Sequence, residues 1–212
     1  MTNQEKLEAV TAVLAQLEEL DLEDRWAVLE QALEISTAAK PPELKIMQDT
    51  DPAIKPRECD NLGLMVYWHS RYVLGDSQPT CCSKTWFEDN VDPKGVYLPL
   101  FIYDHSGITM QTKPFTCPFD SGQIGWIYAS PEAIKTAFPG VTFEEAQVHA
   151  LKALEFEVKD FDCHLRGQVW GFEYGDDSCW GFVGDELEAT GIKEYLPEVA
   201  HSQLEAAWEA RT

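Results

Sequence analysis

The sequence predicts an α+β domain: an antiparallel sheet with packed helices and an N-terminal helical extension. Three observations point there. Apolar segments of strand length are separated by short polar turns. The helical periodicities are grouped, and do not alternate strictly with the strands. Of the 212 residues, 44% are apolar and seven are Trp, enough to bury a sizeable core. The expected organisation is a helical extension over residues 1–40, a Pro-rich linker or extended arm over 41–62, and an α+β domain with acidic C-terminal helices over 63–212.

Leu7, Val10, Leu14 and Leu17 fall at helical spacing, and Leu22, Trp26, Leu29 and Leu33 repeat the pattern. Asp21 or Asp24 is placed to cap a second helix, giving either one long bent helix or a helical hairpin. Short stripes of this kind need a packing surface: the main domain, a partner, or a second copy dimerising through residues 1–37. Residues 41–62 hold four prolines and no sustained period. Leu64–Trp68 is the first strand, and Gly75–Lys94 is polar and rich in turns. Pro99 within Tyr97–Tyr103 calls for a sheet edge or a bulge, because proline cannot donate to a ladder.

Ser130-Pro131 opens a short helix as cap and first residue. Thr142 and Glu145 form a capping box before a longer helix whose stripe is Ala146, Ala150, Leu151, Leu154 and Val158. Gln168–Tyr174 and Cys179–Val183 read as a hairpin around Gly175-Asp176-Asp177-Ser178. Acidic helices follow near Asp185–Thr190 and Pro197–Ala210. The expected core is Leu64, Val66, Trp68, Leu100, Ile102, Ile124, Trp126, Tyr128, Leu151, Leu154, Val169 and Phe182.

Charge narrows the function classes. The 37 acidic and 16 basic residues give a formal net charge of −21. Residues 1–40 hold nine acids against three bases, and residues 161–212 hold eleven against three. Such a surface repels phosphate, so no direct nucleic-acid binding is expected; a solvated helical face or a basic protein partner accounts for it. No apolar run reaches membrane-span length and MTNQEKLEAV is unlike a secretory signal, so a cytoplasmic location is expected. The six cysteines show no C-x-x-C spacing and read as reduced thiols, leaving Cys163 and His164 with a distant partner as the one metal alternative. Neither a metal nor a cofactor is expected. The P-loop, G-x-G-x-x-G and H-E-x-x-H patterns are missing from the sequence.

Candidate chemistry gathers at two turns, Asp104-His105-Ser106-Gly107 and Asp120-Ser121-Gly122-Gln123. Catalysis here would use Ser121 as nucleophile, His105 as base and Asp104 or Asp120 as orienter. The sequence around Ser121 is not a G-x-S-x-G elbow, and Asp, Ser and Gly are also ordinary turn residues. His69 would join His105 if the strands carrying them pair. Glu155 and Glu157 flank Phe156 on different helix faces and are not an acid–base couple. Trp68, Trp126, Trp170, Trp180, Tyr67 and Tyr128 form aromatic rows suited to a core or to an interface.

The blocks Asp60-Asn61-Leu62-Gly63, Leu98-Pro99-Leu100-Phe101-Ile102-Tyr103-Asp104-His105-Ser106-Gly107-Ile108-Thr109-Met110, Pro114-Phe115-Thr116-Cys117-Pro118-Phe119-Asp120-Ser121-Gly122-Gln123-Ile124-Gly125 and Ser178-Cys179-Trp180-Gly181-Phe182 resemble a family of small phage and prophage-encoded proteins. The resemblance covers about residues 60–184 and brings no catalytic role with it. It implies interference with host functions by association. The expected function is therefore a non-enzymatic phage accessory protein that inhibits a host protein with a basic surface, such as a nucleic-acid-handling defence complex. Its partner-binding carboxylates would be Asp176, Asp177, Asp185, Glu186, Glu188, Glu194 and Glu198. The alternatives are a small hydrolase or transferase at the two turns, and a dimeric assembly protein.

Overall fold

The computed structural model describes residues 41–211 together with Thr11, Asp21, Asp24 and Trp26. Two compact units are present, Met1–Pro42 and Glu43–Thr212. In the first, Asp24 is helical and its N–H donates to Asp21 Oδ1 at 3.0 Å, the bond an N-cap aspartate makes with the residue three positions on. Asp21 is therefore the cap of that helix. The leucine stripes and the surface for a homodimer lie outside the described residues.

The second unit is α+β. Its strands are β1 (Leu44–Gln48), β2 (Leu64–Tyr67), β3 (Val96–Asp104), β4 (Ile108–Gln111), β5 (Ser121–Ala129), β6 (Val169–Tyr174) and β7 (Asp177–Val183). Its described helices are α1 (Ser83–Asn90), α2 (Pro131–Ala137), α3 (Phe143–Leu165), α4 (Leu187–Thr190) and α5 (His201–Ala210). The strands form two antiparallel sheets, one ordered β2-β5-β3-β4 and the other β1-β6-β7. No helix among the described residues is long and apolar enough to cross a membrane.

Helix α3 organises the larger core. Thr142 Oγ1 accepts from the Glu145 N–H while the Glu145 carboxylate accepts from the Thr142 N–H, so the capping box forms as its spacing demands. Ala146, Ala150, Leu154, Val158 and Phe161 are buried along one face of α3 against Met65, Tyr67, Leu100, Ile102, Met110 and Ile127 of the sheet. Each large side chain buried there contributes roughly 1.5–3 kcal/mol of apolar transfer. Leu151, expected in that stripe, is exposed. The smaller core joins Leu44, Trp170, Phe172 and Phe182 of the three-stranded sheet to Leu187, Ile192, Leu196, Leu204 and Trp208 of the C-terminal segments.

Several expectations about the sheets are corrected. Residues 41–62 are more than a linker: Leu44–Gln48 pairs with β6, and Pro56–Glu58 forms a 3-10 turn. α1 occupies part of the stretch read as turns. Pro99 sits in an internal strand, but β4 pairs only with Phe101–Asp104, and the register shifts between Leu100 and Phe101. Proline is thus accommodated beside a bulge, in a part of β3 that β4 does not reach. The bulge adds Ile124 to β5 and reverses its alternation. Ile124, Ile127 and Ala129 consequently enter the α3 core. Trp126 and Tyr128 pair with Val66 and Leu64, and Trp126 packs against Phe87 of α1 at 4.5 Å. The β6–β7 connection is a two-residue turn, because Tyr174 pairs with Asp177. Gly175 takes φ +63° at its first central position, as a type II′ turn asks.

Candidate functional site

The two Ser-Gly turns do come together, at the end of the β3–β5 ladder. The Asp104 N–H donates to the Asp120 carbonyl at 2.8 Å, and Tyr103 pairs with Ser121. Ser106 takes φ +62°, followed by Gly107, so the first turn needs a left-handed residue at its tip. His105 Nδ1 lies 3.3 Å from Asp120 Oδ2, with the two side chains 63% and 41% exposed, and its ring stacks on Tyr103 at 5.9 Å. Asp104 Oδ2 instead accepts from Arg71 Nη2 at 2.7 Å.

Ser121 does not join the His105–Asp120 pair. The Ser121 hydroxyl donates to the Cys117 carbonyl, and no hydrogen bond joins it to His105 among the described residues. What remains is a solvent-exposed imidazole–carboxylate pair without the desolvated, oriented base of a triad. His69 does not enlarge it. Its Nδ1 accepts from the N–H groups of Arg71 and Tyr72, and its ring stacks on Tyr72 at 5.0 Å. The turns bearing the two histidines are linked through the Arg71–Asp104 pair, while each imidazole keeps separate partners.

Two partly buried ionic nodes absorb several other charged groups. The Arg57 side chain, 8% exposed, donates to Asp76 Oδ1 at 3.0 Å, to Glu157 Oε2 at 2.8 Å and to the Gly63 carbonyl at 2.6 Å. Burial works against its charge, but Asp76 and Glu157 outweigh it and raise the guanidinium pKa. Glu157 also accepts from the Leu62 N–H, and Asp76 from the Met65 N–H of edge strand β2. On the opposite edge, Asp162 Oδ1 accepts from the Met110 N–H of β4 at 2.6 Å, and its Oδ2 from Arg166 Nε at 2.9 Å. Burial is the larger influence on the Asp162 carboxyl and moves its pKa upward. The i,i+4 spacing of Asp162 and Arg166 is visible in the sequence, but the Met110 N–H that Asp162 accepts and the Asp76 and Glu157 carboxylates that Arg57 meets lie 52, 19 and 100 positions away and leave no local mark.

Cys163 and His164 point into different surroundings. Arg166 Nη2 lies 3.6 Å from Cys163 Sγ, and burial raises that thiol's pKa. His164 stacks on Phe161 at 6.2 Å and lines two surface cavities. No three His, Cys, Asp or Glu side chains among the described residues are placed to hold a metal ion.

The expected partner-binding carboxylates divide into two kinds. Asp185 is held inward: Arg166 Nη2 reaches it at 3.3 Å and Lys159 Nζ at 3.5 Å. Burial pushes its carboxyl up, but the Arg166 hydrogen bond and the Lys159 charge outweigh this and hold it below its ordinary value. Asp176, Asp177, Glu186, Glu188, Glu194 and Glu198 are exposed, and none is in an ion pair among the described residues. They lie in the hairpin turn, at the start of β7, beside and within α4, and in the 3-10 turns Ile192–Tyr195 and Glu198–Ala200.

Glu194 also lines a cavity of about 530 Å3, together with Trp180–Val183 of β7, Asp49, Lys55 and their neighbours in the 49–59 segment, Asp160, Ala189–Gly191 and Tyr195. The aromatic-row reading points toward it through Trp180, whereas Asp160 and Tyr195 carry no sequence signal. Neither a protein-family model, nor a curated protein, nor a solved structure matches this chain.

Proposed function

We propose that this chain is a non-catalytic protein-binding module of phage type, acting in the host cytoplasm. Its C-terminal sub-core docks on the basic surface of a host protein and competes there with nucleic acid. The observation that carries the reading is the set of exposed carboxylates Asp176, Asp177, Glu186, Glu188, Glu194 and Glu198 without cationic partners among the described residues. A protein folding for itself alone gains from placing cations beside such groups, as Arg166 and Lys159 stand beside Asp185. Uncompensated carboxylates steer a positive partner and repel phosphate.

The test is capture of a basic host protein on the immobilised full chain. Retention should fall steeply from about 50 to 500 mM salt, as screening shortens the reach of surface charges. A chain carrying E186Q, E188Q, E194Q and E198Q should lose the captured protein already at low salt. Retention in high salt together with an indifferent quadruple variant would sink the reading.

A second reading rests on the 3.3 Å His105–Asp120 contact, an acid–base pair available to a small polar substrate. In that case His105→Ala would abolish the biological effect with the fold intact. An unchanged effect removes it.

A further inference from the structure

β7 is an outer strand of the three-stranded sheet, paired only with β6. The free edges of the other sheet are closed: Asp76 accepts from the Met65 N–H of β2, Ser77 accepts from the Tyr67 N–H, and Asp162 accepts from the Met110 N–H of β4. On the three-stranded sheet, Gln203 Oε1 accepts from the Leu44 N–H of β1. The outward backbone groups of β7 have no such acceptor or donor among the described residues. An open edge of this kind is a template for another strand.

The cavity along β7 is furnished for one occupant class. Trp180 and Tyr195 line it, and they remain 47% and 66% exposed. Large half-open aromatic side chains beside unpaired backbone are what a docked segment would cover. Three carboxylates, Asp49, Asp160 and Glu194, face a single ammonium, Lys55, in the lining. Asp160 is half-buried, its carboxylate makes no ion pair or hydrogen bond among the described residues, and burial raises its pKa. A cation brought to it would restore what burial takes from its charged form.

We infer that the cavity beside β7 receives an extended, basic segment of a protein partner, which adds a strand to the β1-β6-β7 sheet, packs apolar side chains on Trp180 and Tyr195, and sets a Lys or Arg against Asp160. The inference rests on the protein-binding reading above and names how that partner is held. Main-chain bonds to β7 supply affinity, while alternate side chains select the sequence. Four residues of added strand, at about 3.3 Å each, span Trp180 to Val183. The bulge at Gly181, between Trp180 and Phe182, interrupts the β6 ladder and keeps the docked stretch short.

The probe is an acetylated, amidated octapeptide of alternating Lys and Val, titrated calorimetrically into the full chain at about 50 mM salt. The expected result is saturable one-to-one binding. Affinity should fall at least tenfold with a peptide N-methylated at every second residue on its strand-pairing edge, and at least tenfold in Asp160→Asn. Because Trp180 also packs over Gly171, the exposed Tyr195→Ser serves as the aromatic variant, with a similar loss expected. Failure to bind, equal binding of the N-methylated peptide, or indifference of Asp160→Asn and Tyr195→Ser each overturns the inference. So does edge-to-edge self-pairing, seen as a doubled mass in solution. Should these variants be indifferent while the quadruple Glu→Gln variant still releases the host protein, the strand-addition model fails and the broader reading stands. If the quadruple variant is indifferent as well, both fail.

Discussion

The two sheets of the Glu43–Thr212 unit use acidic side chains in opposite ways. Around the four-stranded sheet, Asp76, Glu157 and Asp162 turn inward, accept backbone N–H groups and share Arg57 or Arg166. Around the three-stranded sheet, Glu186, Glu188, Glu194 and Glu198 stand in solvent without cations among the described residues. The difference teaches that net charge alone says little about role. A carboxylate that closes a strand edge is structural, and one left uncompensated is available to another molecule. Stability measurements should separate the two kinds cleanly.

The largest effect is expected at Arg57. Arg57→Ala leaves Glu157 and Asp76, whose side chains are 11% and 21% exposed, without their cation, and should cost about 3 kcal/mol in urea unfolding. A loss under about 1 kcal/mol would mean that water replaces the guanidinium and that the inward group is not structural. Asp162→Ala should come next, at about 2 kcal/mol, since it orphans the Met110 N–H and removes the Arg166 partner.

A smaller effect is expected from pH. Burial, with help from the Lys55 charge, holds the His164 imidazole below its ordinary 6.5, and its Nδ1 finds no partner among the described residues. The folded state therefore favours the neutral ring. Its contribution is complete above pH 6.5 and is lost as pH falls below that through the depressed folded value. Comparing unfolding midpoints at pH 7.5 and 5.5, His164→Phe should lessen the acid-side loss; an unchanged pH slope would contradict this. Smallest of all, Glu186→Gln and Glu188→Gln should shift stability by no more than about 0.5 kcal/mol. A larger loss at either would move that residue to the inward class.

Local rules were legible where a residue's partner is close in sequence. The Ser130 cap, where Oγ accepts from the Ala133 N–H at 3.2 Å, and the Thr142–Glu145 box both follow from spacing alone. So does the hairpin, although its loop is shorter than the composition suggests. Facing was less legible. The alternation Ile124, Trp126, Tyr128 looks like one face, yet the extra residue at Ile124 sends Trp126 and Tyr128 to the other side of the sheet. In β2 the α3 core takes Met65 and Tyr67, while Leu64 is exposed.

α1 was hidden because Ser83-Lys84-Thr85-Trp86 carries little helical period. Tertiary contacts hold it: Trp126 Nε1 donates to Ser83 Oγ at 3.0 Å, and Trp68 Nε1 to the Cys81 carbonyl at 2.6 Å. At the turns, the sequence offers His105 two carboxylates, Asp104 and Asp120, without deciding between them. The imidazole meets Asp120, fifteen positions on, because the ladder brings the two corners together.

One consequence of the Asp162 bond concerns motion. The Met110 amide lies in the outermost strand of its sheet, where exchange with deuterated solvent is usually quick. Its hydrogen is held instead by a carboxylate on α3, a long helix anchored by its own cap. That amide will exchange only when helix and sheet part company, so its protection reports the breathing of the whole interface and not the fraying of one ribbon.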